Sequence, residues 1–288
     1  MIIIEIVILF GMKHVSFGEF RVFAGILFLT HQKSSLYMKT SKISLALAGA
    51  IATATIVTAC GGGHDAPVEP VSTAKAIVAQ ADTNKGAPFD IVRTEIVTNG
   101  GNVIFRTKVR GGAGTAKPAA TGKFEGSSVY SYVWPTSLNS ADVGFDKDQG
   151  TVALAVTFHP DFDDAPNSAK NRDVWHSHWV VLVEDKSCGG GLKVKDIPAG
   201  EKPRLPLTWP GVPLLIDSPD YPPAFTDETV EVRIPLAKLG AISSASFDGV
   251  TAGLQVNASI HAPLLCVANV FKVASGNLSL PGKVGSGQ

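Results

Sequence analysis

Short segments rich in β-branched and aromatic residues recur along this sequence, with turn residues between them and almost no helical periodicity. Thr151–His159 is the clearest, because Val152, Leu154, Val156 and Phe158 fall on one face of an extended chain. Many such segments are typical of an all-β fold, and we predict a single large antiparallel β-sandwich of about ten strands over residues 88–284. The predicted strands are Phe89–Thr98, Asn102–Arg110, Ser127–Trp134, Thr151–His159, Val174–Val183, Leu192–Ile197, Leu214–Asp217, Thr229–Ile234, Gly249–Ile260 and Val267–Val273.

Short sequence patterns predict two hairpins and one short helix. Asn99-Gly100-Gly101 between two strands predicts a tight hairpin. Residues 151–159 and 174–183 are expected to form a second antiparallel hairpin, joined by residues 160–173. Pro235–Leu239 is the best candidate for a short helix.

A secretory signal precedes the domain. From Met38, two lysines are followed by the short apolar run Ile43–Val57 and by small residues up to Cys60. This predicts a signal peptide over residues 38–59, too short to span a membrane stably, and a flexible tether over 60–87. Residues 1–37 are interpreted as an over-extended translation start, or alternatively as an interfacial or early membrane segment.

Val57-Thr58-Ala59-Cys60 resembles the lipobox of bacterial lipoproteins, with Val where Leu is usual. The resemblance implies that Cys60 is diacylated and anchors the protein to a membrane of the cell envelope. Gly61 after Cys60 implies the outer membrane if the host is Gram-negative. The alternative is that Cys60 is an ordinary residue after the signal.

Charge excludes one class of partner. The chain has 25 Lys and Arg against 25 Asp and Glu, and removal of residues 1–59 leaves a net charge of −3. We therefore expect no nucleic-acid partner. Cys188 and Cys266 are expected to form a disulfide outside the cytoplasm, with two separate thiols as the alternative.

Three histidines form the strongest chemical signal. His176 and His178 project to one side of a strand about 7 Å apart, and the predicted hairpin brings His159 near them. Three imidazoles suit Zn or Cu, with Asp161 or Asp164 as a further ligand or as a partner that orients a ring. The alternative is that these histidines are half-exposed, or buried and hydrogen-bonded to carboxylates.

His176-Ser177-His178-Trp179 resembles the metal strand of α-carbonic anhydrases and the His-X-His of cupins. The match covers these four residues, and the third histidine of carbonic anhydrases comes from a later strand, whereas His159 is earlier. His261 is a further candidate ligand. Ca, held by the acidic residues of the 161–173 loop, is a weaker alternative.

Aromatic residues offer a second kind of site. Trp134, Trp175 and Trp179 are candidates for stacking a sugar or holding haem, although aromatic faces of this kind more often pack in the core of a sandwich. Asp90-Ile91-Val92, Asn102-Val103-Ile104-Phe105 and Phe247-Asp248-Gly249-Val250 resemble parts of carbohydrate-binding-module-9/DOMON β-sandwiches, which implies sugar or haem binding.

The sequence contains no G-x-S-x-G elbow, P-loop, Rossmann glycine pattern or C-x-x-C-H haem attachment. We therefore favour a lipid-anchored envelope protein with a ligand-binding β-sandwich and a metal at His159, His176 and His178. The alternatives are a metal-dependent hydrolase or hydratase, and a purely structural envelope lipoprotein. The partner classes that fit these interpretations are a small ligand or an envelope protein.

Overall fold

The computed structural model describes residues 75–257 and 263–286. The predicted translation start (1–37), the signal peptide (38–59), Cys60, the first part of the tether and His261 lie outside these residues. The described parts belong to one compact unit.

The described residues form strands joined by turns and by short 3-10 helices. The strands are β1 (Ile77–Val78), β2 (Ile91–Asn99), β3 (Asn102–Val109), β4 (Ser128–Pro135), β5 (Thr151–Phe158), β6 (His176–Glu184), β7 (Leu192–Val194), β8 (Ile216–Asp217), β9 (Ala224–Phe225), β10 (Thr229–Pro235), β11 (Ser246–Phe247), β12 (Val250–Val256), β13 (Leu265–Val273), β14 (Gly282–Lys283) and β15 (Gly285–Ser286). The 3-10 helices are Ala87–Phe89, Ser140–Val143, Pro166–Ser168, Leu236–Lys238 and Ile242–Ser244.

One sheet has the order β1-β2-β3-β10-β9, with β15 added in parallel beside β2. Its central hairpin turns at Gly100 and Gly101, which both have positive φ, while Asn99 pairs with Asn102. Two left-handed residues in a two-residue loop match the twist of the flanking strands, and glycine adopts them without steric cost. A separate pair joins β11 to β14.

The other sheet closes on itself. Its order is β5-β4-β12-β13-β7-β6, and β6 pairs again with β5, which completes a six-stranded antiparallel barrel. The small strand β8 extends the edge of β6 beyond β7.

Closure creates two apolar cores. The larger one lies between the open sheet and the outer face of β4, β5 and β6, and it includes Phe105, Trp134, Leu154 and Trp179. The second core is formed by residues that face the barrel interior, such as Val129, Val180 and Ala252. Strands β4, β5 and β6 contribute to both cores, and they therefore carry apolar residues on both of their faces.

The prediction of an all-β antiparallel fold is confirmed, but the single sandwich is not the arrangement found, because one layer curls into a barrel. Each of the ten predicted strands has an observed counterpart among the described residues. The additional strands β1, β9, β11, β14 and β15 have two residues each, too few to show a period. Leu236–Lys238 lies within the predicted short helix.

The barrel seam between β7 and β13 is short. The two strands pair at one position only, Cys266 with Lys193. Beside it, Cys188 and Cys266 are joined as a disulfide, with their Cα atoms 5.3 Å apart. The bond fastens the turn between β6 and β7 to β13, where backbone pairing is sparse.

The ordered domain begins before residue 88. Ile77 is buried and pairs with Thr94 of β2, and Lys75 bridges to Lys283. All strand pairings and both cores described here lie within residues 75–286. The piece 61–288 therefore holds every contact that the described fold uses, and we expect it to fold without the residues before it.

Candidate metal centre

The pairing of β5 with β6 places the three histidines together. Thr157 lies opposite His176 and Ala155 opposite His178, while His159 follows the last residue of β5. His176 and His178 share one face of β6, as predicted, because alternate side chains of a strand point the same way. The expected hairpin and the grouping of the three histidines are both present.

The loop after β5 adds a carboxylate to this group. Asp164 Oδ2 lies 3.2 Å from His159 Nε2 and 3.3 Å from His178 Nε2, and Oδ1 lies 3.0 Å from His176 Nε2. His159 Nε2 and His176 Nε2 are 3.1 Å apart. One ligand atom from each of the four residues lies within 4.8 Å of all the others.

The outer ring nitrogens determine which tautomer each histidine adopts. His159 Nδ1 lies 2.9 Å from the carbonyl oxygen of Phe162, and His176 Nδ1 lies 2.7 Å from that of Val174. A carbonyl oxygen only accepts, so both Nδ1 atoms carry the hydrogen. The Nε2 lone pairs of these two rings are therefore directed into the cluster.

His178 has the same arrangement through a serine. Its Nδ1 lies 3.0 Å from Ser218 Oγ, and that hydroxyl donates to the carbonyl oxygen of Asp164 at 2.7 Å. Because the hydroxyl hydrogen is already used, Ser218 Oγ accepts from His178 Nδ1. His178 Nε2 is then left without a hydrogen-bond partner in the described structure, although it is buried.

Burial and hydrogen bonding set the charge of the cluster. Burial lowers the pKa of His178 to about 3, so this imidazole is neutral at pH 7. Burial alone would raise the pKa of Asp164, but the close contacts of its carboxylate with His178, His159 and His176 outweigh burial and hold the pKa well below the usual value. An ionised carboxylate and a neutral imidazole are the forms that bind a metal.

Asp164 is held in place from outside the cluster. Asn171 donates from Nδ2 to Asp164 Oδ1 at 2.7 Å and accepts from the Asp164 backbone N–H at 2.9 Å. Asp164 is only 6% exposed. Partners of this kind orient ligating carboxylates, just as the Nδ1 acceptors orient the rings.

The separations match the size of a metal site. Four ligands placed tetrahedrally at Zn–N and Zn–O distances of about 2.0–2.1 Å lie about 3.3 Å from one another. Four of the contacts among these residues are 3.0–3.3 Å, and all their ligand atoms lie within 4.8 Å of one another. Three lone pairs and a carboxylate at this spacing repel one another unless a cation or a proton lies between them.

The other predicted acidic ligand lies elsewhere. Asp161 accepts from the backbone N–H groups of Thr121 and Gly122 at 2.8–3.0 Å. Asp163 accepts from the backbone of Asn171 and Arg172. Because these carboxylates bind separate backbone groups, Asp161 is not a member of the metal group. For the same reason the described part of the loop does not gather oxygens in the way a Ca site requires.

The structure places two of the three candidate tryptophans in the apolar core. Trp134 is completely buried and Trp179 is 3% exposed, and both pack edge-on against Phe105 between the two layers. No face of either ring is open to a sugar or haem. Trp175 is partly buried against Tyr132 and its Nε1 donates to Gly114, so it also serves packing.

Three residues beside the cluster were not identified from the sequence. They are Ser218, which contacts His178, Asn171, which contacts Asp164, and Thr157, which lies opposite His176. Ser218 lies 40 residues beyond His178, and no local pattern connects them. Asn171 sits in the loop already singled out for its acids, but its partner depends on the loop conformation. Thr157 was visible only as the residue between two apolar positions of β5.

No family model, curated protein or solved structure matches this chain. Among the described residues, no helix is long and apolar enough to cross a membrane. The geometry of the cluster is therefore the evidence for what this protein binds.

Proposed function

We propose that this protein binds a transition metal ion through Nε2 of His159, His176 and His178 and the carboxylate of Asp164. Its β-domain is carried in the cell envelope on a lipid attached to Cys60, at the outer membrane of a Gram-negative host. This placement follows the signal pattern and the lipobox resemblance.

One observation carries the metal proposal. Three imidazoles whose Nδ1 atoms are all committed as donors direct three Nε2 lone pairs toward one buried carboxylate. The buried, unpartnered Nε2 of His178 supports it further. Without a cation, such a cluster costs free energy through desolvation and repulsion; with one, all four groups are satisfied.

Zn²⁺ is the ion we favour, because it accepts imidazole and carboxylate in a tetrahedron without a strong geometric preference of its own. Cu²⁺ is the alternative, since it also binds imidazole but prefers a tetragonal arrangement. Calcium fits less well, because three of the four donors are nitrogens.

Four protein ligands favour binding over catalysis. A hydrolase or hydratase needs an open coordination position for water, whereas the proposed tetrahedron is filled by the protein. A purely structural envelope protein would need no metal, and a titration tests that class directly.

The experiment uses residues 61–288 without a His-tag, dialysed against chelator and titrated with Zn²⁺ and with Cu²⁺ by calorimetry. We expect one ion per chain in wild type and loss of that binding in His176→Ala/His178→Ala. Asp161→Asn is the matched control, because this neighbouring acid lies outside the cluster, and it should bind like wild type. Wild-type affinity weaker than about 0.1 mM, or about −5.5 kcal/mol, would overturn the proposal.

A further inference from the structure

The interior of the barrel is not completely filled. A cavity of about 250 Å³ lies among side chains from its six strands, and its wall is almost entirely apolar. Small side chains such as Ala155 and Ala252, which face inward, leave this space open. An apolar cavity of 150 Å³ already holds benzene in another protein.

The cavity reaches the metal centre at one end. His159, His178 and Asp164 are part of its wall. Leu278 lines it as well and is 37% exposed, so this part of the wall lies at the protein surface. A molecule in this cavity would touch both the proposed metal site and aliphatic side chains.

Besides His178 Nε2, a second polar group in the wall has no hydrogen-bond partner among the described residues. Thr157 lines the cavity and is 7% exposed, and its hydroxyl makes no hydrogen bond within the described structure. It lies on β5 directly opposite His176. A buried hydroxyl without a partner is costly, and an oxygen of a bound molecule would satisfy it.

We propose that the barrel binds a medium-chain aliphatic carboxylate, with its chain in the apolar cavity and its head group at Thr157 beside the metal. The inference rests on the proposed function, because the metal ion supplies the positive charge that the head group needs. Without the ion, the ionised Asp164 in the same wall would repel a carboxylate.

The volume sets the length of the chain. Scaling from the 150 Å³ that accommodates the six carbons of benzene, 250 Å³ accommodates about ten carbon atoms. Decanoate is therefore the probe, and acetate, which has the same head group without the chain, is its control.

The test is calorimetric titration of decanoate into residues 61–288 loaded with Zn²⁺, and into the chelator-treated protein. We expect one decanoate per chain with zinc present, at least tenfold weaker binding without zinc, and no binding of acetate. Thr157→Val keeps the shape but removes the hydroxyl, and should weaken decanoate binding about tenfold or more while zinc still binds.

Ala252→Leu fills the cavity on β12, far from the histidines in sequence, and should abolish decanoate binding while zinc binding stays. Ala237→Leu is the matched control on the exposed surface and should bind as wild type. Circular dichroism checks folding, and Val250→Phe replaces Ala252→Leu if that variant does not fold.

Zinc binding without saturable decanoate binding would overturn this inference and leave the proposed function intact. Equal decanoate binding by wild type and by the filled variant would also overturn it, since the molecule would then lie elsewhere. Absence of zinc binding would overturn both proposals.

Discussion

Zinc should stabilise this protein by an amount that depends on Asp164. The carboxylate faces all three Nε2 atoms at 3.0–3.3 Å, so Asp164→Asn removes the only anionic ligand. Loss of a ligand should weaken zinc binding at least as much as loss of its supporting partners, which costs about 10–100-fold. We take about 100-fold for this variant.

The magnitude follows from linkage between binding and folding. At a free zinc concentration of 100 times the wild-type Kd, bound zinc adds about 2.7 kcal/mol to the free energy of unfolding. For a domain of this size, 1 kcal/mol shifts Tm by about 2–4 °C, so wild type should gain about 5–11 °C. At the same zinc concentration the variant gains about 0.4 kcal/mol, or about 1–2 °C.

Differential scanning calorimetry of residues 61–288, dialysed against chelator and then buffered at fixed free Zn²⁺, measures both shifts. Asp161→Asn is the control and should show the full wild-type shift. Equal shifts in wild type and Asp164→Asn would refute the reasoning, because zinc would then act at another site.

Three further perturbations have definite outcomes. Ser218→Ala should weaken zinc binding about 10–100-fold, measured by competition with a chelator, because His178 Nδ1 loses its acceptor. Asp90→Asn should cost about 3–5 kcal/mol at pH 7 in urea unfolding, since it leaves Lys272 and Arg110 without their buried carboxylate. Although burial raises the pKa of Asp90, hydrogen bonds from Lys272, the Asp82 amide and Arg110 outweigh it and lower the pKa below 3.8, so the cost should shrink as pH falls below about 4. Reduction of the Cys188–Cys266 bond, which spans 78 residues, should lower stability by about 4 kcal/mol.

Each of these has its own control. Ser218→Ala must keep the wild-type circular dichroism spectrum, and unchanged zinc affinity would contradict the assigned tautomer. Asp227→Asn changes an exposed carboxylate and should leave the urea midpoint unaltered at every pH. Reductant should have no effect on a Cys188→Ala/Cys266→Ala variant; if it destabilises that variant equally, it acts on something other than this bond.

The sequence predicted the strands well because each carries its own period. It did not predict closure, since closure depends on pairings such as Cys266 with Lys193 that are far apart in the chain. One signal of closure was present but not used. Ala153 and Ala155 alternate with Val152 and Leu154, so β5 is apolar on both faces, which indicates burial on both sides.

The candidate site also contains a part that the sequence predicts and a part that it does not. His176 and His178 were placed together by strand geometry, and His159 by the hairpin, because these relations are local. The choice between Asp161 and Asp164 was not local. Asp161 accepts hydrogen bonds from the backbone of Thr121 and Gly122 instead. Asp164 accepts one from Asn171. Residue spacing does not predict either contact.

From the seam between β7 and β13 we expect the histidine cluster to form before the barrel closes. The histidines and Asp164 belong to one hairpin and its loop, so this half of the site assembles from neighbours in the chain. The barrel interior requires the ring to close, and at this seam closure involves one strand pair, the Cys188–Cys266 bond and a hydrogen bond from the Gly190 N–H to the carbonyl oxygen of Val267. If the protein is exported as proposed, we expect its histidines to come together in the reducing compartment before the interior is enclosed, and oxidation after export to complete the enclosure.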